Sequence, residues 1–430
     1  MPVVVIILAV FVLSVMPAAA QPRGFVTASD GRLMLDKKPY YFIGANYWYG
    51  PLLGLEKDKR RGIGRLRREL DLLKQNGVTN LRLLAGAEGS GELNGVVRVG
   101  PPLQPVSGKF DTGVLQGLDL VLAEMEKRQM KAVIYLSNNW EWSGGFQQYL
   151  IWSGRESREW LAKKPSWDEL RDLVAKFYSC TPCMAGYREQ AAVIINRTNT
   201  ITKRRYIDDP TIMAWEIANE PRPMWPAAND AYRRWLAAAA ADIRRRDPHH
   251  LITTGHEGRI GTESLDLFEQ VHADPNIGYL TIHIWPRNWG WYEKGDLAGG
   301  YEKAADMSAE YIDEHIAVAR KLGKPLVIEE FGLPRDGSSF DINGTTALRD
   351  KYFALVFSYV RREPAVAGAA FWAFGGSARP VKGRLFWRAG DEYMGDPPME
   401  EQGLYTVFDI DRSTWQVIRS AARRTAAPAR

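Results

Sequence analysis

Short apolar runs recur along the chain, and most are followed by a longer segment in which apolar residues return every three or four positions. The runs are Phe42 to Ala45, Leu81 to Leu84, Ala132 to Leu136, Met213 to Ile217, Leu251 to Thr254, Tyr279 to Ile282, Leu326 to Ile328 and Ala369 to Phe374. A run with no polar alternation suits a strand covered on both faces, as strands of a parallel sheet are. Between runs, Arg65 to Gln75 aligns Leu66, Leu70 and Leu73 on one helical face before the stop signal Asn76-Gly77. Ala228 to Arg246 does the same with Tyr232, Trp235, Leu236 and Ile243. Eight strand-then-helix units predict the α/β class and a (β/α)8 TIM barrel as a single catalytic domain. An open, doubly wound sheet is the alternative, weakened because no Gly-rich phosphate loop follows the first run.

The ends of the chain read differently. Pro2 to Met16 is apolar and Ala18-Ala19-Ala20 supplies a small-residue cleavage site before Gln21, so residues 1–20 are expected to be a secretory signal peptide. The run lacks a preceding Lys or Arg and approaches the length of a membrane anchor. An A-x-A ending has no purpose in an anchor, which favours export and a secreted or periplasmic protein with no membrane contact after cleavage. The barrel is expected over 21–422, followed by a short disordered Ala/Arg/Pro tail over 423–430. A monomer is expected.

Composition narrows the chemistry. Lys and Arg total 56 against 51 Asp and Glu, a net charge of +5. The basic residues fall in helical patches such as Lys59-Arg60-Arg61, Arg67-Arg68 and Arg244 to Arg246, which are solvated faces rather than the continuous stripe that nucleic acid requires. The 15 tryptophans and 18 tyrosines offer flat faces that suit the C–H faces of sugar rings, with dense core packing as the competing use. Cys180 and Cys183, spaced Cys-Thr-Pro-Cys, are expected to form one small disulfide in an oxidising compartment. A redox pair would need a thioredoxin-like context, and zinc would need two more ligands. His249-His250 and His256-Glu257 lack an H-E-x-x-H helix, so neither a metal nor an organic cofactor is expected.

In a barrel, functional groups stand just past the C-terminal ends of the strands. Read outward, the runs deliver Asn46-Tyr47-Trp48, Arg82, Ser137 to Trp140, Asn219-Glu220-Pro221, His256-Glu257, His283-Ile284-Trp285, Glu329-Glu330 and Trp372 to one rim. Glycosidic cleavage needs two carboxyl groups, one to protonate the departing oxygen and one to attack or stabilise the anomeric carbon. Glu220 is at the rim, whereas Glu216 lies deeper and is expected to be structural. Side-chain alternation sends Glu329 and Glu330 to opposite sides and does not say which faces the axis.

Trp215 to Arg222 (WEIANEPR) and Ile328 to Gly332 (IEEFG) resemble family 5 glycoside hydrolases of the retaining barrel clan. Ile195 to Asn199 with Tyr206 and Asp209-Pro210, Thr281 to Tyr292, and Gly395 to Pro398 with Gln402 to Tyr405 are similar to the endo-β-1,4-mannanases. The similarity covers nearly all of residues 25 to 420. It implies Glu220 as acid/base and Glu330 as nucleophile, with Glu329 a structural neighbour. It implies Asn219 on the sugar 2-hydroxyl, Arg82 on the nucleophile, His283 near the acid/base and Trp372 beneath the sugar. Trp285 stands where many relatives carry a tyrosine bonded to the nucleophile, and an indole can only donate. Trp48, Arg222, Glu257, Trp289 and Trp291 are placed along the cleft.

The resemblance implies an enzyme: a retaining endo-acting β-1,4-mannanase on mannan, glucomannan or galactomannan, using double displacement and no cofactor. An exo-β-mannosidase or β-1,4-glucanase of the same fold keeps the chemistry and changes the substrate. A non-catalytic polysaccharide-binding protein is disfavoured because both glutamates and Arg82 are present.

Overall fold

The computed structural model describes residues 24–292 and 297–426. The N-terminal segment expected to be a signal lies outside the described residues. Eight parallel strands form one sheet: β1 Phe42–Asn46, β2 Asn80–Leu84, β3 Lys131–Tyr135, β4 Ile212–Glu216, β5 Leu251–Thr253, β6 Leu280–Ile284, β7 Leu326–Phe331 and β8 Val366–Phe371. β8 pairs with β1 through Phe371 and Ala45, so the sheet curls round. The remaining seam, between β5 and β6, is bridged by the Gly278 N–H donating to the Ile252 carbonyl at 2.8 Å and by the Thr253 hydroxyl donating to Tyr279 at 3.0 Å. The chain therefore folds as the expected (β/α)8 barrel. Each predicted run overlaps a strand, with ends shifted by a few residues: β7 runs on to Phe331, and β8 begins and ends earlier than expected.

A helix follows every strand: α1 Lys59–Gln75, α2 Thr112–Glu126, α3 Thr181–Ile195, α4 Asn229–Arg246, α5 Leu265–His272, α6 Leu297–Leu322, α7 Ala347–Arg362 and α8 Arg412–Ala426. α1 starts earlier than its leucine pattern suggested because Asp58 caps it, accepting from the Arg60 and Arg61 N–H groups at 3.1 Å. α8 corrects the expected domain end at 422. Trp415 and Ile418 are buried and Ala421 and Ala422 pack against the core, so the helix continues to Ala426, into the expected tail, whose last four residues lie outside the described residues.

The lower end of the barrel is plugged from below. Val26 and Leu33, from the hairpin of Val26–Ser29 and Arg32–Leu35, pack with Phe42, Val133, Met213, Leu251, Tyr279 and Val327. A Cβ at Gly368 would meet the Phe42 ring, so glycine there lets β8 close on β1. Apolar burial at the bottom leaves the polar strand ends at the top. Among the described residues no helix is long and apolar enough to cross a membrane.

The disulfide forms between Cys180 and Cys183, at the N-terminus of α3, with Cys180 as the cap residue.

Candidate active site

Arg82 stands at the centre of the barrel mouth. It sits on β2 opposite Asn46 of β1 and Val133 of β3, fully buried, with its guanidinium 4.6 Å from the Tyr135 ring centroid. Its Nε and Nη2 donate to the two oxygens of Glu216 at 2.7 and 2.6 Å. Nη2 also donates to Asn219 Oδ1 at 2.6 Å, and Nη1 is in contact with Glu330 Oε1. One cation therefore serves Glu216 and Glu330 directly, with Glu329 3.7 Å away. Glu216, at the end of β4, is fully buried.

Glu220 lies beyond the end of β4 in the left-handed region, with φ 50°. Such a conformation costs a non-glycine residue about 1–3 kcal/mol and persists only when its surroundings enforce it. Here the Glu220 N–H donates to the Gly255 carbonyl at 2.8 Å, and a Cβ at Gly255 would collide with the Ala218 carbonyl and the Glu216 carboxylate. The carboxyl of Glu220 is held by three donors. His283 Nδ1 lies 2.6 Å and the Trp285 indole 3.3 Å from Oε1, and the Trp140 indole donates to Oε2 at 2.5 Å. The Trp285 indole thus reaches Glu220.

The strand β7 departs from simple alternation. Ile282 pairs with Ile328 but His283 pairs with Glu330, so Glu329 is an extra residue in the register. At such a bulge two residues face one partner. Glu329 Oε2 lies 3.6 Å from His283 Nε2 and 3.7 Å from Arg82 Nε, and Glu330 Oε2 lies 3.3 Å from His283 Nδ1. Both glutamates turn toward the cluster, which corrects the expectation that one would point away.

One oxygen of Glu220, one of Glu330 and a ring nitrogen of His283 all lie within 4.8 Å of one another. Three such donors are of a kind that can hold a cation, but the Arg82 guanidinium already supplies the positive charge at Glu330. Burial is the largest influence on Glu216, Glu220, Glu329 and Glu330 and pushes each carboxyl up. Arg82 opposes that rise where it touches Glu216 and Glu330 and, more weakly, at Glu329 3.7 Å away, and Arg222 and the Trp140 indole oppose it at Glu220. Burial pushes His283 down to about 4, which leaves it neutral.

These groups open into a cavity of about 290 Å³ lined by Asn219, Glu220, Arg222, Glu257, Trp285, Trp289, Glu330 and Trp372, among others. Arg222 donates to both oxygens of Glu257 at 2.5 and 2.6 Å. Asn219 Nδ2 donates to Asn138 at 3.0 Å. Trp291 packs edge-on to Trp289 rather than lining the cavity. Trp48 also stands back: its indole donates to the Gly395 carbonyl at 2.8 Å and its ring packs edge-on against Trp142, which does line the cavity. The placement of Trp48 and Trp291 along the cleft is therefore corrected to a supporting layer, set by packing of the surrounding aromatic rings.

Sequence reading missed Trp140 and Trp167 as a pair, and missed Met399 and Glu400, all of which line the cavity. Trp140 and Trp167 stack at 6.3 Å, with the Arg222 guanidinium 5.1 and 5.6 Å from their centroids. Met399 and Glu400 ride on the return after β8, knotted by Asp396, which accepts from the Gly403 and Tyr405 N–H groups at 2.7 and 3.0 Å. The motif signal for that return was present in Gly395 to Tyr405. The Arg197 motif lies elsewhere: Arg197 and Tyr206 clamp the Asp119 carboxylate at distances of 2.6, 2.7 and 2.8 Å, a structural use.

A family model described as GH family 5 beta-mannosidase-like matches residues 23–429. Mannan endo-1,4-beta-mannosidase 1 of Oryza sativa subsp. japonica is 29% identical over 418 residues, covering 93% of this chain and 86% of that protein. The crystal structure of a glycoside hydrolase family 5 mannosidase from Rhizomucor miehei is similar, with 30% identity and a TM-score of 0.83, covering 94% of this chain and 97% of that one. A single-residue variant of that mannosidase in complex with mannosyl-fructose has 31% identity, the same TM-score of 0.83 and the same coverage of 94% and 97%.

Proposed function

The chain belongs to the β-mannosidase-like group of family 5 glycoside hydrolases, and from that premise we propose that it hydrolyses β-1,4-mannosidic bonds of mannan, glucomannan or galactomannan with retention, acting within the polysaccharide. The observation that carries retention is the approach of Glu220 and Glu330 oxygens to within 4.8 Å. Retaining pairs stand about 5–5.5 Å apart, whereas inverting pairs leave about 6.5–9.5 Å for a water.

In the first step Glu330, kept ionised by Arg82, attacks the anomeric carbon while Glu220 gives its proton to the leaving oxygen. A glycosyl-enzyme ester forms and the glycosidic C–O bond breaks. In the second step Glu220, now a carboxylate, takes a proton from water, whose oxygen displaces Glu330 from the same face as the departed group. Asn219, fixed between Arg82 and Asn138, is positioned to hold the 2-hydroxyl, and Trp372 forms the floor. The mannan assignment is supported by the rice relative named for that substrate and by the Rhizomucor miehei structure that holds mannosyl-fructose. Export through residues 1–20, and action as a single chain, belong to the same proposal.

Exo-action is the second reading, favoured by the cavity itself. About 290 Å³ is at the small end for ligand sites, and Met399 and Glu400 wall it from the return after β8. Product analysis on manno- and cello-oligosaccharides decides between them. Mixed internal products from mannohexaose support endo-action, mannose alone supports exo-action, and cleavage of cello-oligosaccharides with mannan untouched overturns the substrate. The anomer first released, followed by NMR, tests retention.

A further inference from the structure

The double displacement makes no use of Glu329, yet the bulge in β7 turns it into the catalytic cluster. Both of its carboxyl oxygens, and the facing His283 Nε2, have no hydrogen-bond partner among the described residues, and all are buried. A buried polar atom left unpaired is costly, so two such groups 3.6 Å apart point to a shared purpose.

Charge counting fixes the form of Glu329. Arg82 is the cation of the cluster, and its nitrogens are committed to Glu216, Glu330, Asn219 and Asn46. An ionised Glu329 would add a third negative charge beside one positive charge. Held neutral, it offers a hydroxyl donor. A neutral imidazole has one donor nitrogen and one acceptor nitrogen. His283 Nδ1 faces Glu220 Oε1 at 2.6 Å and the ionised Glu330 at 3.3 Å, so a bare lone pair there would be repelled and the proton belongs on Nδ1. Nε2 is then the acceptor and needs a donor.

We propose that Glu329 is a positioning residue whose protonated carboxyl donates to His283 Nε2 and so pins the Nδ1–H tautomer against the acid/base. Closing the gap takes a shift of about 0.5–1 Å to reach ordinary hydrogen-bond length. With Nδ1–H and the Trp285 N–H both on Oε1, against the single Trp140 N–H on Oε2, the acid proton of Glu220 is left on Oε2. The role of Glu220 rests on the reading given above; the tautomer of His283 does not. Other groups face these three. Arg82, Glu216 and Tyr279 surround Glu329; Arg82, Glu257 and Glu330 surround His283; Arg222, Arg82, Glu216, Glu257, Glu330 and Glu400 act on Glu220.

The test compares Glu329→Gln with Glu329→Leu. An amide N–H replaces the hydroxyl donor, so Glu329→Gln retains most activity and the wild-type tautomer, while Glu329→Leu has no donor. For Glu329→Leu we expect a loss of at least roughly tenfold in kcat/KM on manno-oligosaccharides and little loss on an aryl β-mannoside whose leaving group needs no proton. Loss of the donor to Glu220 also raises its pKa, so the basic limb of the pH profile moves to higher pH. In ¹⁵N-histidine NMR, the resonances assigned to His283 by their absence in His283→Gln should show Nδ1–H in the wild type and Glu329→Gln, and an altered tautomer in Glu329→Leu. An Nε2–H wild type, an unchanged tautomer in folded Glu329→Leu, or equal losses on both substrates would overturn the proposal. The NMR arm needs no substrate, so a wild type inactive on every β-mannoside would sink the functional reading while leaving this one tested.

Discussion

Trp140 donates its indole N–H to Glu220 Oε2 at 2.5 Å, and the same ring stacks on Trp167 beneath the Arg222 guanidinium. Glu220 is thus tied at one oxygen to the aromatic wall of the cavity and at the other to His283. Trp140 is itself aligned by its backbone N–H, which donates to Asn138 Oδ1 at 3.1 Å, and Asn138 in turn accepts from Asn219.

Replacing Trp140 by Phe keeps the ring and removes the donor. A hydrogen bond to a group that becomes charged is worth about 1.5–3 kcal/mol, so kcat/KM on manno-oligosaccharides should fall roughly 10- to 100-fold. The donor favours the carboxylate form, so its loss raises the Glu220 pKa and moves the basic limb upward. A pH–rate profile of the variant checks both; unchanged kinetics would mean that the bond is not made in the working enzyme.

The barrel was legible because each strand is a run with no polar alternation, a local property. The rim residues followed because strand ends point one way. What stayed hidden depends on pairing between distant segments. The inward turn of Glu329 comes from a register shift between β6 and β7, and nothing within Ile328 to Gly332 encodes it. Met399 and Glu400 reach the cavity on an irregular return shaped by Asp396, where no periodicity exists to read. Trp48 and Trp289 are alike as residues in a sequence; only packing makes one a supporting layer and the other a wall.

Trp167 is 46% exposed although it lines the cavity, and it stands at the first position of a helix whose Ser166 cap and Glu169 form a reciprocal capping box. A fixed, half-exposed indole is suited to stack on a sugar ring. Stacking of this kind contributes about 0.5–1.5 kcal/mol, so Trp167→Ala should raise KM for manno-oligosaccharides roughly three- to tenfold with kcat nearly unchanged. Steady-state kinetics on mannotetraose would show it, and an unchanged KM would remove Trp167 from the substrate contacts.

The Cys180–Cys183 bridge closes a very short loop at the start of α3. The chain-entropy argument gives about 1–2 kcal/mol for so small a ring. The double serine variant should melt a few degrees lower with kcat unchanged. Calorimetry and a turnover assay on the same preparation measure this, and a folded but inactive variant would give the cysteines a chemical role.

Glu88 anchors the loop that carries Trp140 and Trp142. It accepts from the Ser137 hydroxyl at 2.8 Å, the Gln190 amide at 2.7 Å and the Gly145 N–H at 3.0 Å. Burial nonetheless pushes its carboxyl up to about 7. A folded-state pKa raised above the unfolded value means that its stabilising contribution is complete below about pH 4.5 and is lost as pH rises through about 7. At about 1.4 kcal/mol per pKa unit the loss is on the order of 3 kcal/mol. Glu88→Gln cannot ionise, so its Tm should fall less between about pH 5 and about pH 8 than that of the wild type. Parallel pH dependence of the two proteins would show that Glu88 does not titrate in this range.

The two glutamates proposed for catalysis should fail in different ways. Glu330→Ala leaves no group to form the glycosyl-enzyme ester, so turnover should vanish on every substrate. Glu220→Ala retains the nucleophile, and its loss should track the leaving group: about 10²- to 10⁴-fold on manno-oligosaccharides, where a proton must be supplied, and little in the first step on an activated aryl mannoside. Azide needs no general base, so it should rescue the second step of Glu220→Ala and give a mannosyl azide of β configuration. The approach of Glu220 and Glu330 oxygens to within 4.8 Å favours a retaining pair over an inverting one, so the β azide is the expected product. An α-configured azide from Glu220→Ala, or azide rescue of Glu330→Ala in its place, would invert the assignment of the pair.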